Sequence, residues 1–421
     1  MTPRKTDQRE GGNVARREAA AAGPGSRALV VDLIRSAGPI SRVELVEQTG
    51  LTQPTISNIV RRLIADGVVR ETGETVATGG KPRALLVINS QALFGVGMHL
   101  GPDTITAVAT NARGGTVGHE LVARPADHDP SVLADTLIGL YRSLTQGLDL
   151  DPHTIAGLTV VGPGPVDVAR GRLLGPGEHG EQAGFDLGAA LSRALAIPAL
   201  VDNDATAAAI GEFWGRQVSR DRTFGCLYLG AGIGSGVVLD GALHRGASSN
   251  SGEIGHNTVV RDGAPCVCGN RGCLERYASP SVLVDRARAT PGLAERLEIA
   301  AEDGYGHAFD TLARAAVYGD ADASALIEES ARWLADAAVT LANLWDLDTL
   351  VLAGPGFAVA GSIYVREIRE RLADRAFARR LHPVAVDLSS NPRDSAAIGG
   401  AALILQGSVA PGHGPQVAMR A

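Results

Sequence analysis

The sequence has few aromatic residues and no long apolar run. Only 4% of its 421 residues are aromatic, although 45% are hydrophobic, so we expect cores built mainly from Ala, Val, Leu and Ile. No apolar run approaches the roughly 18 residues that a membrane helix needs. The first twenty residues are charged and small, without an apolar segment of signal-peptide length. These absences predict a globular cytoplasmic protein that makes no membrane contact.

Cysteine is also scarce, with four residues in the chain. Cys266, Cys268 and Cys273 lie within eight residues of one another. Because no export signal is seen, this cluster favours a metal site over disulfide bonds. The remaining Cys226 lies in an apolar stretch, and we interpret it as a small core residue.

A histidine upstream of this cluster completes a set of metal ligands. His256 and the three cysteines form a Cys3His set, which fills a tetrahedral Zn²⁺ site without a water ligand and is therefore typical of structural zinc. Gly269 and Gly272 let the short loop fold back on the ion. The alternative is a group of reduced, buried cysteines that are close by chance.

Charge divides the chain into a basic first part and an acidic remainder. Residues 1–90 hold 13 Lys and Arg against 9 Asp and Glu, or +4, and the total of −7 leaves −11 for the remainder. Such a division is typical of a nucleic-acid-binding module joined to another domain, although chance also allows it. The length permits two or three domains.

The basic part shows three amphipathic helices. The first ends at Gly38-Pro39, and the second begins with a capping box formed by Ser41 and Glu44 and closes at Gly50. The third is capped by Thr52, runs to about residue 66 and exposes polar and basic groups opposite its apolar face. Two helices joined by a tight turn in this way predict a helix-turn-helix.

Two predicted strands, at 68–72 and 83–88, follow the third helix and are joined by a turn at 79–82, which makes a wing. The third helix of such modules enters the major groove, so residues in its first turns are candidates for base contacts and the basic residues beyond them for phosphate or minor-groove contacts. The alternative is a three-helix protein-interaction module. The candidate DNA-binding residues are Gln53, Thr55, Ser57, Asn58, Arg61, Arg62, Lys81 and Arg83.

The segment around the cysteines carries a recognisable pattern. Glu253-Ile254-Gly255-His256 reads E-x-G-H, and residues 266–275 read C-x-C-G-x2-G-C-x-E. Together they resemble the signature of the ROK family of repressors, open reading frames and sugar kinases. The resemblance covers residues 90–405, and a preceding winged helix is typical of the family's transcriptional regulators.

The resemblance implies an α/β fold in which the winged helix-turn-helix precedes a two-lobed, actin-like ATPase (ribonuclease H-like) domain with a structural zinc loop. The implied divisions are a flexible basic tail at 1–25, the winged helix at 26–90, a sugar-binding body at 91–405 and a C-terminal tail at 406–421. Within the body, residues 91–204 and 393–405 would form one lobe and residues 205–392 the other.

Five residues match positions that line the sugar pocket in ROK kinases, and their amide, carboxylate and imidazole groups suit sugar hydroxyls. In the kinases, the aspartate matched by Asp204 is the general base. The alternative for Asp204 is a cap on the helix that follows it. The implied ligand-binding residues are Asn203, Asp204, Glu253, His256 and Glu275.

Departures from the kinase pattern affect the expected activity. The D-x-G-G-T motif, whose aspartate helps to hold magnesium, is replaced by residues 99–103, where Pro102 removes an amide and Asp103 adds negative charge near the phosphates. Glycine-rich turns at 230–236 and 353–356 are retained as scaffold. The sugar loop at 175–185 lacks the usual asparagine, which leaves the identity of the sugar open.

We therefore expect a sugar-responsive repressor, not an enzyme, that binds a pseudo-palindromic double-stranded DNA operator as a homodimer or homotetramer. A small sugar or sugar derivative would change the angle between the lobes and hence the spacing of the DNA-reading helices. One alternative is an ATP-dependent sugar kinase with Asp204 as general base. Another is a ligand-independent DNA-binding protein with a vestigial cleft.

Overall fold

The computed structural model describes residues 25–76, 83–127, 129–174 and 185–409. Some sequence predictions lie outside these residues: most of the basic tail, the turn of the wing with Lys81, most of the 175–185 loop and the C-terminal tail from residue 410. Among the described helices, none combines the length and apolar character needed to cross a membrane.

The N-terminal head is a winged helix-turn-helix. Its helices are α1 (Gly25–Ala37), α2 (Arg42–Thr49) and α3 (Gln53–Ala65), and its strands are β1 (Ile40–Ser41), β2 (Val69–Val76) and β3 (Arg83–Ile88). The strands pair in the order β1-β3-β2. Strand β2 extends beyond the predicted residue 72, because its pairing with β3 resumes at Thr75 after an irregularity.

Local signals set the ends of the head helices. Ser41 and Glu44 form the capping box, with the Ser41 amide donating to Glu44 Oε2 at 2.8 Å. Gly50 ends α2 with a φ of 69°, a left-handed conformation that glycine adopts without steric cost. Thr52 caps α3 as predicted.

The body contains two five-stranded sheets. The first part supplies β4 (Phe94–Leu100), β5 (Thr104–Asn111), β6 (Thr116–Ala123), β7 (Ile155–Gly162), the short pair β8 (Val166–Asp167) and β9 (Arg172–Leu173), and β10 (Ala199–Asn203). The second part supplies β11 (Phe224–Leu229), β12 (Ile233–Leu239), β13 (Ala242–Leu243), β14 (Thr349–Ala353) and β15 (Ala385–Leu388).

The two sheets have the same topology. Their orders are β10-β7-β4-β5-β6 and, from the matching edge, β15-β14-β11-β12-β13. In each, an antiparallel meander of three strands is followed by two strands that add in parallel beside the first. The body is therefore built from two lobes of related topology, as the sequence resemblance implied.

Helices cover the outer faces of both sheets. The first lobe has α4 (Pro130–Gly147) and α5 (Leu187–Leu195). The second lobe has α7 (Glu275–Ala278), α8 (Pro280–Ala289), α9 (Leu293–Arg296), α10 (Tyr305–Val317), α11 (Ala321–Trp345) and α12 (Gly361–Arg375). Short 3₁₀ turns occur at Pro152–Thr154, Ile254–His256 and Pro355–Phe357.

Two further helices, α6 (Asp204–Gly215) and α13 (Ser395–Val409), lie between the sheets. Helix α13 packs on β4 and β7 of the first lobe, α6 packs on β11 and β12 of the second, and the two helices pack on each other. Helix α13 continues through residues 406–409, beyond the predicted end of the body at 405, because its buried face extends to Val409.

Candidate functional site

Asn203 and Asp204 lie where β10 passes into α6, at the junction of the lobes. The Asn203 Oδ1 accepts the Thr206 amide at 2.9 Å, so Asn203 is the N-cap of α6. The suggested capping role of Asp204 is therefore wrong, since Asp204 is already the first helical residue. Its side chain is nearly buried, with Oδ1 accepting the Ala205 amide at 2.8 Å.

Glu253 approaches this pair from the second lobe. Its Oε1 lies 3.4 Å from the Asn203 Nδ2, which donates to it. Burial raises the pKa of Glu253 to about 7, and the negative charges of Asp204 and Glu275 add to this effect. Gly164 of the first lobe lies close beside it, since a Cβ there would be 2.7 Å from Glu253 Oε1. The cleft thus holds a carboxyl group that can serve either as a hydrogen-bond donor or as an acceptor near neutral pH.

His99 faces Asp204 at the end of β4. Its Nε2 lies 3.7 Å from Asp204 Oδ2 and 3.4 Å from the Tyr228 hydroxyl of the second lobe. Burial raises the pKa of Tyr228 well above its usual range. His99 stands at the position of the magnesium carboxylate in the kinase motif, so an imidazole here contacts the would-be general base. The sequence shows the substitution at position 99, but the contact between His99 and Asp204 is seen only in the structure.

Glu275 and His256 connect the cleft to the cysteine loop. The Glu275 Oε1 accepts the Ile233 amide at 2.8 Å, so Glu275 satisfies the glycine-rich turn that follows β11. Its Oε2 lies 3.9 Å from His256 Nδ1. A Cβ at Gly232 would be 2.2 Å from Glu275 Oε1, so a larger residue there would require this carboxylate to move.

The four predicted metal ligands come together. The ligand atoms of His256, Cys266, Cys268 and Cys273 all lie within 4.8 Å of one another, so the cluster could hold a metal ion. Cys268 Sγ lies 3.7 Å from Cys273 Sγ, and Cys266 Sγ lies 3.6 Å from His256 Nδ1. The fourth cysteine, Cys226, is buried in β11 away from this loop.

Helix α3 presents the predicted DNA-reading residues. Its buried face is Ile56, Val60 and Leu63. Its other face exposes Gln53, Ser57, Asn58, Arg61 and Arg62, whereas Thr55 is half-buried.

Some of the DNA-binding candidates also make contacts within the head. The Thr55 amide donates to the capping Thr52 hydroxyl at 3.4 Å, and Arg61 Nη2 donates to Asn58 Oδ1 at 2.6 Å. Arg83 is half-buried at the start of β3. Hydrogen bonds from Ser41 hold the pKa of Glu44 below its usual range, and Arg83 contributes to this effect.

Two arginines that were not among the predicted site residues connect parts of the molecule. Arg245 connects the two lobes, and Arg35 connects the head to the body. Arg245 donates to the buried Asp202 at 3.3 and 2.8 Å, joining the second lobe to the end of β10. Arg35 of α1 is 3% exposed and contacts the body. Neither pair is recognisable in the sequence, because the partners are distant along the chain.

Comparisons with known proteins identify the family to which the chain belongs. Residues 95–407 match the ROK family, and residues 29–70 match the winged helix-turn-helix DNA-binding family. The chain belongs to the ROK family. The resemblance inferred from the cysteine segment is therefore confirmed.

Several ROK relatives are named as transcriptional regulators. The xylose repressor of Bacillus subtilis (strain 168) is 32% identical over 257 residues, which cover 61% of this chain and 66% of the repressor, just under two thirds of its length. The xylose repressor of Caldicellulosiruptor bescii is 26% identical over 90% of this chain and 95% of that protein. The DNA-binding transcriptional dual regulator NagC of Escherichia coli (strain K12) is 26% identical, covering 78% and 79%. These relatives favour a ROK regulator over a ROK kinase.

Solved ROK structures share the fold. A ROK family transcriptional regulator, a homologue of the E. coli MLC protein, has a TM-score of 0.71 at 24% identity over 91% of this chain and 96% of its own. A ROK family glucokinase from Streptomyces griseus, in complex with glucose and AMPPNP, has a TM-score of 0.62 at 26% identity, covering 73% of this chain and 98% of the enzyme. The smaller share matched by the glucokinase fits a chain that carries an additional head.

Proposed function

We propose that this protein is a sugar-responsive transcriptional repressor. The observation that carries the proposal is the union of an exposed, basic recognition helix with a ROK body whose cleft gathers several polar side chains. The family match and the names of the relatives support the same conclusion. Since its target is DNA, the protein acts in the cytoplasm of a bacterium.

The head binds double-stranded DNA through α3. Gln53, Ser57 and Asn58 face the base edges of the major groove, and Arg61 and Arg62 contact phosphates. Thr55 is less available to bases, because its hydroxyl is hydrogen-bonded to the Thr52 hydroxyl at 2.8 Å. Lys81 and Arg83 belong to the wing and are proposed to contact phosphates or the minor groove. The active form is a homodimer or homotetramer that reads two half-sites about 34 Å apart in a pseudo-palindromic operator.

The body binds a small sugar or sugar derivative between its lobes. Asn203, Asp204 and Glu253 supply the hydroxyl contacts, and His256 and Glu275 complete the wall beside the cysteine loop. Because relatives are named for xylose and N-acetylglucosamine, the first sugars to test are these two and glucose. The sugar regulates DNA binding only if it favours one of two conformations, since equal affinity for both shifts nothing.

Zinc is the ion that best fits the cysteine loop. Two sulfur ligands, each about 2.3 Å from a tetrahedral Zn²⁺, are about 3.8 Å apart. The Cys268 and Cys273 sulfurs are 3.7 Å apart, and the set has no place for a water. The ion would therefore stabilise the loop that carries Glu275 and fix the tautomer of His256.

The kinase alternative is disfavoured by the first phosphate motif. His99 takes the place of the magnesium carboxylate beside Asp204. Asp103 turns toward the start of α10, where its Oδ2 accepts the Gly306 amide at 3.4 Å. An assay with ATP, magnesium and the three sugars tests this assignment, and turnover that disappears in Asp204→Asn would contradict it.

A gel shift with DNA from upstream of the chain's own gene, repeated with each sugar, tests the proposal. The double variant Asn58→Ala and Arg61→Ala should lose retention of the fragment. Arg314→Ala is the matched control, because it removes one exposed positive charge from α10 in the body. An unchanged shift in the double variant would contradict the recognition-helix assignment. Retention that no sugar alters would favour the ligand-independent alternative.

A further inference from the structure

Arg35 is a buried cation at the boundary between the head and the body. It lies in the last turn of α1 and is 3% exposed. Its Nε and Nη2 donate to Asp32 Oδ1 at 3.1 and 2.7 Å within the same helix. Its outer nitrogens donate to three carbonyl oxygens of the body, those of Phe213 at 3.4 Å, Trp214 at 3.1 Å and Val218 at 3.0 Å. The guanidinium thus joins the two domains through hydrogen bonds that only a planar group with several donors can make together.

Two of the carbonyls that Arg35 binds, those of Phe213 and Trp214, lie in the last turn of α6, and Val218 follows three residues after the helix ends. The last carbonyls of a helix have no partner inside it and carry partial negative charge, so a cation there is favourable. The Arg35 guanidinium also stacks near the Phe213 and Trp214 rings, at 5.1 and 4.9 Å from their centroids. Arg35 therefore joins the head to the C-terminal end of α6.

The other end of α6 lies in the sugar cleft. Asn203 caps the helix, Asp204 is its first residue, and both are proposed sugar contacts. The helix has 12 residues, so its two ends are about 18 Å apart. Ten of these residues are buried. The helix therefore connects the cleft directly to the carbonyls held by Arg35.

A second helix strengthens this connection. Helix α13 packs so tightly on α6 that a Cβ at Gly399 would be 1.9 Å from the Ala207 carbonyl oxygen. The far end of α13 supplies Val409 to the hydrophobic core of the head, together with Ala112 from the β5 end. Displacement of the α6–α13 pair would consequently move two of the places where the body contacts the head.

We propose that Arg35 transmits the sugar signal from the cleft to the DNA-binding head through α6. The proposal rests on the proposed function. Sugar contacts to Asn203 and Asp204 favour one position of the helix, and Arg35 makes the orientation of the head depend on that position. By linkage, operator binding changes sugar affinity by the same factor.

The test compares the operator affinity of the full chain with and without each sugar, for wild type, Arg35→Ala and Arg35→Lys. The probes are the upstream duplex that wild type retains, D-xylose, N-acetylglucosamine and glucose. We expect wild type to show a sugar-dependent change within the roughly 5- to 150-fold range of such couplings, and Arg35→Ala to show about 3-fold or less. Calorimetric sugar affinity without DNA should stay within about 3-fold of wild type, because Arg35 is outside the cleft. Arg35→Lys should be intermediate, since lysine keeps the charge but loses the planar fork.

Arg216→Ala is the matched control. Arg216 also lies at the C-terminal end of α6, but its contacts to Glu212, Asp387 and Leu388 are all within the body. It should keep the wild-type sugar response. If circular dichroism shows that Arg35→Ala does not fold, the sugar response of Arg35→Lys becomes the deciding measurement, together with hydrogen exchange of α6 with and without the duplex.

The outcomes separate the two proposals. A folded Arg35 variant with the wild-type sugar response would overturn the role of Arg35 while leaving the proposed function intact. Equal loss of response in Arg216→Ala would also overturn it, because the effect would then belong to the helix end in general. A wild type that binds no upstream DNA, or ignores all three sugars, would overturn the proposed function and the transmission role with it.

Discussion

Replacing Glu253 with glutamine should change how the stability of the body depends on pH. Burial raises the pKa of Glu253 from its usual 4.5 to about 7, with the negative charges of Asp204 and Glu275 contributing. Glutamine keeps the size of the side chain and an oxygen near Asn203 but cannot ionise. Glu253→Gln therefore removes one titration from the folded state and leaves the rest of the cleft in place.

The size of the change in the free energy of unfolding follows from the difference between the folded and the usual pKa of Glu253. The difference is 7 − 4.5, or 2.5 pH units, and at about 1.36 kcal/mol per unit it corresponds to about 3 kcal/mol. Between pH 4.5 and 7 the folded protein holds a proton that the unfolded chain has released. Its free energy of unfolding consequently falls as pH rises, and the full loss is present above pH 7.

Calorimetry of the zinc-loaded full chain, following the transition of the body from pH 5 to 8, measures this effect. Stability relative to wild type should increase in Glu253→Gln as pH rises. About 2.5 kcal/mol of this change falls between pH 5 and 8, so at about 2 °C per kcal/mol for a domain of this size the two melting temperatures should diverge by about 5 °C. Glu302→Gln is the control, because Glu302 is exposed and outside the cleft. A constant difference between wild type and Glu253→Gln across this range would refute the reasoning.

Three further predictions concern the metal loop, the central helices and the head. Cys268→Ser should remove bound zinc, measured by elemental analysis, and the sugar response in the gel shift, and zinc-free protein that still responds would refute their connection. Gly399→Ala should destabilise the body by about 1–3 kcal/mol or more in urea unfolding because its Cβ would overlap the Ala207 carbonyl. Its control is Gly139→Ala, which has open space around it and should be neutral or stabilising by up to about 1 kcal/mol, and equal effects of the two changes would contradict the packing argument. Ser41→Ala should cost about 1 kcal/mol in the unfolding of the head by removing the capping box, and a loss below about 0.3 kcal/mol would count against that role.

Interactions between residues close in sequence determine much of the structure of the head and of the cysteine loop. The capping box spans Ser41 to Glu44, and Gly50 and Thr52 end and begin helices through contacts a few residues away. The cysteine spacing brings Cys266, Cys268 and Cys273 onto one short loop. Such signals are readable in a sequence because the interacting groups are held near each other by the chain itself.

The boundaries of some elements could not be read from neighbouring residues alone, because more than one residue suits the same cap or end. Asn203, not Asp204, caps α6, although both residue types suit that position. Strand β2 extends past its predicted end, and helix α13 extends past the predicted end of the body at residue 405, because pairing with β3 and burial between the lobes continue there. For β2 and α13, contacts with another element decided the boundary.

By itself, the sequence determined the winged helix, the cluster of one histidine and three cysteines that could hold a metal ion and, through its resemblance to the ROK family, the two-lobed body. Only the tertiary structure decided that His99 contacts Asp204 and that Arg35 binds the end of α6. It also decided that burial raises the pKa of Glu253 to about 7. Arg35 and its carbonyl partners are 178 to 183 residues apart. Burial and contacts over such separations depend on how the whole chain packs, so no local pattern of residues encodes them.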